Sequence, residues 1–272
     1  MIVTPAIAAL LTAGFTVPEK PRLVFPKPAI IRPENIGFSK HMLLGMPLTM
    51  GMLPGKTRYP YFISSSSYST VASSSLEVLS WSHTTTADTT AIVVSGAAVN
   101  NANSLDMDFV SFNGVSFGTY IVQGGSGDSV RIFVLFNPPV GIYTLRAEVD
   151  ATNDRFFAAH AINLGGVSEI NAANGAESTS AETFSVTLST SRKTIVVLGS
   201  NAQTGTSNTA TITCTSPAGG SLAQTSSNTA NNLGRRFSTF HTAARDAGTF
   251  NVTSVSSLSI KRHRIAAVAL AA

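Results

Sequence analysis

Residues 130–149 read VRIFVLFNPPVGIYTLRAEV, and this stretch decides the fold. Ile132, Val134 and Phe136 fall on one face of an extended segment and Phe133 and Leu135 on the other, so both faces are apolar. A strand of that kind belongs in the middle of a core. After the turn, Tyr143, Leu145, Ala147 and Val149 alternate with Thr144, Arg146 and Glu148, which makes a strand wet on one side. Asn137-Pro-Pro-Val-Gly141 supplies the joining turn, with fixed φ at the prolines and a glycine free to take positive φ. The pair reads as a tight strand–turn–strand piece of a β-sandwich.

Composition agrees. Only 12% of the 272 residues are charged, while Ser, Thr, Ala and Gly are abundant, and Ser, Thr and Gly are poor helix formers. The length suffices for a large core. A single cysteine, Cys214, excludes an internal disulfide and a cysteine metal cage, and it reads as a small buried hydrophobe.

From Leu76 onward, short apolar runs alternate with Gly, Asn and Ser clusters, as in a sandwich or barrel. Strands are expected near 76–82, 91–96, 108–112, 115–122, 130–136, 142–149 and 156–163, then 183–189, 194–199, 209–214, 235–241, 249–255 and 263–270. The two sets resemble each other. Thr90-Ala-Ile-Val-Val-Ser-Gly answers Lys193-Thr-Ile-Val-Val-Leu-Gly, Gly141-Ile-Tyr-Thr-Leu answers Gly248-Thr-Phe-Asn-Val, and Arg155-Phe-Phe-Ala-Ala answers Arg264-Ile-Ala-Ala. This weak repeat, 76–165 and 180–272, fits two halves of one sandwich or two packed sandwiches. One sandwich over 76–272 is the expectation, because each half looks short of strands.

The N-terminal part differs. Nine of the twelve prolines and five of the six methionines lie in residues 1–62. Proline at that density blocks helices and central strands, yet the segment is too apolar for a solvated tail. Residues 1–62 are expected to form an extended docking arm. Its pocket-filling side chains would be Leu23, Phe25, Ile30, Ile31, Ile36, Phe38, Met42, Leu44, Met46, Met50 and Met52. The Ser-rich residues 63–75 are expected to be a linker. Residues 1–60 hold seven Lys or Arg against two Glu. These charges are scattered and form no run, so nucleic acid is not an expected partner. The apolar run 2–15 has no charged segment before it and is shorter than the roughly 20 residues a membrane span needs.

Several motifs resemble a β-sandwich domain of phage structural proteins and bacterial surface proteins. They are Ser80-Trp81-Ser82-His83-Thr84, Ala91-Ile92-Val93-Val94, Phe112-Asn113-Gly114-Val115, Asn137-Pro138-Pro139-Val140-Gly141 and Ile265-Ala266-Ala267-Val268. Arg32-Pro33-Glu34-Asn35-Ile36 and the Met/Pro/Gly run from Met42 to Gly55 are similar to arms of tailed-bacteriophage virion proteins. The resemblance implies an all-β, antiparallel, jelly-roll-like sandwich behind an extended arm. It implies a non-enzymatic structural role in a virion assembled in the host cytoplasm. The arm would anchor to capsid, neck or tail subunits, and the sandwich would be displayed as a decoration or fibre-like accessory protein, as a homo-oligomer. It brings no catalytic residues.

No cofactor or metal is expected. His41, His83, His160, His241 and His263 have no metal-pair spacing. His160 reads as a satisfied strand residue, and His83 and His241 as polar strand ends. Asp106, Asp108, Asp150 and Asp154 lack a Ca²⁺-loop pattern, Gly124-Gly-Ser-Gly127 reads as a hairpin loop, and no nucleophile elbow is present. The alternative function is a carbohydrate-binding module for a host-surface glycan, with Trp81, Tyr120 and Tyr143 as stacking rings, although in alternating strands such rings are more often core.

Overall fold

The computed structural model describes residues 59–72, 78–100, 107–125, 128–149, 155–204, 211–215, 223–230 and 234–272, all within the unit Gly55–Ala272. The eleven arm residues named above lie outside the described residues.

The described residues are all-β. The first repeat comprises β1 (Tyr61–Ala72), β2 (Val78–Thr85), β3 (Ala91–Asn100), β4 (Met107–Phe112), β5 (Val115–Ser116), β6 (Gly118–Gly125), β7 (Asp128–Phe136), β8 (Gly141–Val149) and β9 (Arg155–Gly165). The second comprises β10 (Glu169–Ser178), β11 (Thr183–Thr190), β12 (Thr194–Thr204), β13 (Ile212–Thr215), β14 (Ala223–Ala230), β15 (Arg235–His241), β16 (Gly248–Ser256) and β17 (Ile260–Ala271). All pairings between these strands are antiparallel.

Each repeat builds a five-stranded inner sheet and a smaller outer sheet. The inner orders are β1-β9-β3-β7-β6 and β10-β17-β12-β15-β14, and the outer orders are β2-β8-β4-β5 and β11-β16-β13. The two repeats therefore share one connectivity. Early strands alternate between sheets, and first and last strands pair, which is the jelly-roll pattern.

Three core layers give the stacking order outer, inner, inner, outer. Ile92, Val94, Phe133, Leu135, Leu79 and Leu145 fill the space between the first outer and inner sheets. Val93, Ile132, Val134, Ile162, Val197, Phe237 and Val268 join the two inner sheets. Val196, Leu198, Val186, Phe240 and Val252 close the second sandwich. Fully burying an aliphatic or aromatic side chain contributes about 1.5–3 kcal/mol, so strands apolar on both faces contribute to two cores at once.

This corrects three expectations. The sheets form four layers rather than the two of a single sandwich, because the edge strands β1, β10 and β14 complete each repeat. Tyr61 and Phe62 of the expected arm and residues 63–72 of the expected linker are strand, paired with β9 from Tyr61↔Gly165 to Ala72↔Arg155. The stretch 130–149 is not a hairpin: β7 lies in the inner sheet and β8 in the outer. The turn 137–140, with Asn137 at φ 51°, is an arch between layers.

The repeats match in detail. Both first strands carry a bulge, at Phe62/Ser64 and Ile170/Ala172. Thr85 Oγ1 donates to the Gly141 carbonyl and Thr190 Oγ1 to that of Gly248, each at 3.2 Å, and the two glycines have φ 142° and 152°. Asn137 N donates to Thr90 O at 2.8 Å, and Arg245 N to Thr194 O at 2.7 Å. Thr90 is thus the equivalent of Thr194, one residue beyond the sequence match with Lys193. The slip matters because it exchanges faces: Ile92 points to its outer sheet, whereas Ile195 points to the inner-sheet interface.

Candidate functional site

Two polar arrangements in the first repeat stand out, one buried between its sheets and one on the outer face.

The buried one begins with the bulge in β1, which sets the phase of Ser64, Ser66 and Tyr68. Ser66 Oγ accepts the Trp81 indole N–H at 2.9 Å and lies 2.7 Å from His83 Nδ1. His83 Nε2 lies 2.8 Å from Asn163 Oδ1. Asn163 Nδ2 donates to Ser64 Oγ at 2.9 Å and to the Thr84 carbonyl at 2.6 Å. Those two donations leave Oδ1 facing the imidazole, so Nε2 carries the proton and Nδ1 accepts the Ser66 hydroxyl. Burial lowers the His83 pKa, opposed by its bond to Asn163, and keeps the ring neutral.

The order Ser–His–Asn is that of a nucleophile, base and orienting group. Here, however, His83 is 2% exposed and edge-on to Phe112, with centroids 5.7 Å apart. The chain closes on an indole and a backbone carbonyl. Chemically it fastens β1, β2 and β9 together, since every member would be costly to leave unsatisfied. His83 is therefore a network centre and not the polar strand end expected from the sequence.

The other histidines also serve packing. His160 is fully buried at the inner-sheet interface, with Nδ1 2.7 Å from Thr239 Oγ1 and its ring 4.7 Å from that of Phe237. His241 stacks on Phe62 at 4.3 Å. His263 Nε2 meets Ser200 and Ser254 hydroxyls at 3.0 and 2.9 Å. Burial lowers its pKa to about 4. Cys214 is buried, and burial pushes its thiol up to about 12.

The second arrangement is a cleft of ≈ 560 Å³ on the solvent face of the first outer sheet. It is lined by Ser82, Ser111, Asn113, Gly114, Ile142, Tyr143, Thr144 and Arg146. The central strand β8 contributes Thr144 and Arg146, opposite Ser82 of β2 and Ser111 of β4 respectively. Asn113 and Gly114, at φ 50° and 76°, form the two-residue turn between β4 and β5 at its lip, the conformation favoured by Asn-Gly. Ile142 is 68% exposed beside it. Arg146 pairs with Glu148 at 3.1 Å.

Of the rings proposed for sugar stacking, Trp81 and Tyr143 are half-buried against the core of the first sandwich. Trp81 lies 6.1 Å from Tyr68. Tyr143 is edge-on to Phe112 at 5.4 Å, with its hydroxyl donating to Val140 O at 3.3 Å. Tyr120 is in β6, and its side chain lies outside the described residues, as do Asp106, Asp150, Asp154 and His41. Gly125 pairs with Asp128 across the β6–β7 hairpin. Among the described residues no group of three or more His, Cys, Asp and Glu could hold a metal ion. No helix among them is long and apolar enough to cross a membrane. No local pattern points to the Ser66–His83–Asn163 chain, because its members lie 17 and 80 residues apart. Compared with protein-family models, curated proteins and solved structures, the chain matches none of them.

Proposed function

We propose that this chain is a structural protein of a tailed-bacteriophage particle. The segment before β1 anchors it to capsid, neck or tail subunits, and the double sandwich is displayed outward as a decoration or fibre-like accessory element. The observation that carries the reading is the fusion of the two jelly rolls through their inner sheets. The central strands of both inner sheets, β3, β7 and β9 in one and β12, β15 and β17 in the other, bury side chains on both faces, which makes a stiff block that closes its own cores. A block of that kind suits mechanical support or display. The apolar, proline-rich segment before it suits groove binding, because fixed φ lowers the entropy lost on ordering. Repetition around a symmetric particle multiplies a modest affinity.

The test is quantitative mass spectrometry of purified particles combined with lysine crosslinking. The reading expects a fixed copy number per particle and crosslinks from Lys20, Lys27, Lys40 or Lys56 to another virion subunit. Absence from the particles would overturn it. So would crosslinks from these lysines only to the chain's own sandwiches.

A further inference from the structure

The two outer faces of this molecule differ where their backbones agree. Superposing the repeats by their Thr85/Gly141 and Thr190/Gly248 bonds equates three cross-strand pairs. Ser80/Arg146 matches Ser185/Thr253, Ser82/Thr144 matches Thr187/Asn251, and Thr84/Ile142 matches Ser189/Thr249. In the second repeat each pair closes on itself. Ser185 and Thr253 hydroxyls are 2.6 Å apart, Thr187 Oγ1 donates to Asn251 Oδ1 at 2.6 Å, and Ser189 and Thr249 hydroxyls are 2.9 Å apart. That face has spent its polar groups on itself.

The first repeat has not. Arg146 turns to Glu148, Ile142 replaces a threonine, and among the described residues the hydroxyls of Ser82, Ser111 and Thr144 have no hydrogen-bond partner. These groups converge on the ≈ 560 Å³ cleft, a volume within the range of small-ligand sites, about 300–1,000 Å³. Three hydroxyls and the Asn113 amide offer mixed donors and acceptors. The Arg146–Glu148 pair offers a donor beside an acceptor, which suits two vicinal hydroxyls. Ile142 gives an aliphatic floor for the C–H face of a ring.

We propose that this cleft binds a neutral saccharide of one or two rings. The assignment goes beyond the structural role, adding glycan recognition to the displayed block. It places recognition on Ser82, Ser111, Asn113, Ile142, Thr144 and Arg146 rather than on the aromatic rings.

The experiment is saturation-transfer NMR on the full chain with lactose, maltose and N,N′-diacetylchitobiose, and with a hyaluronan disaccharide as the charged counterpart. Titration calorimetry then follows any binder. At least one neutral disaccharide should receive saturation. Its affinity should fall about tenfold or more in Arg146→Ala, from the loss of one or two hydrogen bonds to a charged group. The pair Ser82→Thr with Thr144→Asn rebuilds the closed Thr187/Asn251 arrangement and should weaken binding similarly without lowering Tm. Thr187→Ala, on the other outer face, should leave binding unchanged. The proposal fails if no neutral disaccharide binds, if only the charged one does, or if binding survives the cleft substitutions. The isolated chain is used throughout, so the outcome is independent of whether the protein is found in virions.

Discussion

His160 Nδ1 and Thr239 Oγ1 lie 2.7 Å apart across the plane where the two jelly rolls meet. One residue belongs to β9 of the first repeat and the other to β15 of the second, so this buried bond joins the two inner sheets directly. Replacing Thr239 with Val keeps the shape and removes the hydroxyl from His160 Nδ1. The expected cost is about 1–3 kcal/mol, read as a lower urea midpoint with an unchanged m-value. An unchanged midpoint would mean that the bond adds nothing to the interface.

Gly199 tests the same interface by volume. A methyl group added there would land on Ser95 Oγ of the opposing inner sheet and within 3.1 Å of Val130 Cγ1. Gly199→Ala should therefore destabilise by about 1–3 kcal/mol through overpacking. Ser95→Ala in the same chain removes the obstructing atom and should recover most of the loss. A double-mutant cycle measures this coupling, and additive effects would show that the sheets do not meet at this point.

Three histidines set an acid response. Burial lowers the pKa of His83, His241 and His263, the last from 6.5 to about 4. A base with a depressed folded pKa protonates in the unfolded chain first. Its stabilisation is complete above the unfolded value and is lost as pH falls from about 6.5 toward the folded value. For His263 alone the span corresponds to about 3 kcal/mol. Urea midpoints measured from pH 7 down to pH 4 should fall steadily, and more shallowly in a His263→Asn variant. A flat profile would place these rings in water.

The sequence disclosed the buried strands and hid the edges. β7 was legible because two apolar faces admit only a central position. β1, β10 and β14 were missed because an edge strand needs little apolar surface. YFISSSSYSTVA reads as linker until Ser64 and Ser66 are seen bonding Asn163, His83 and Trp81. The sequence repeat falls on the right strands but is one residue out of phase at β3 and β12, and three at β9 and β17, where Arg155 is the equivalent of Lys261 and not of Arg264. A strand buried on both faces carries no alternation to fix its phase. The turn residues at 137–140 suit a hairpin and an arch equally, and nothing local says which sheet the chain enters next. The outer-face cleft had no sequence signal beyond Ser, Thr and Arg on the wet side of β2 and β8.

Cys214 should be silent in the folded protein. Its thiol is buried and pushed up to about 12, and the thiolate is the reactive form. Labelling by Ellman's reagent at pH 8 should proceed only at the rate of global opening and accelerate in urea. Prompt stoichiometric labelling in buffer would contradict the closed core of the second sandwich.

The central structural claim is that the two jelly rolls form one block through their inner sheets. The chain carries a single probe in each: Trp81, its only tryptophan, in the first repeat, and Cys214, its only cysteine, in the second. The most direct measurement is equilibrium urea unfolding of the intact chain, followed at once by Trp81 fluorescence and by Cys214 pulse labelling. Coincident transitions with one midpoint are expected, because neither inner sheet can be exposed without opening the other. Two separated midpoints, with one repeat standing after the other has unfolded, would contradict the fused block.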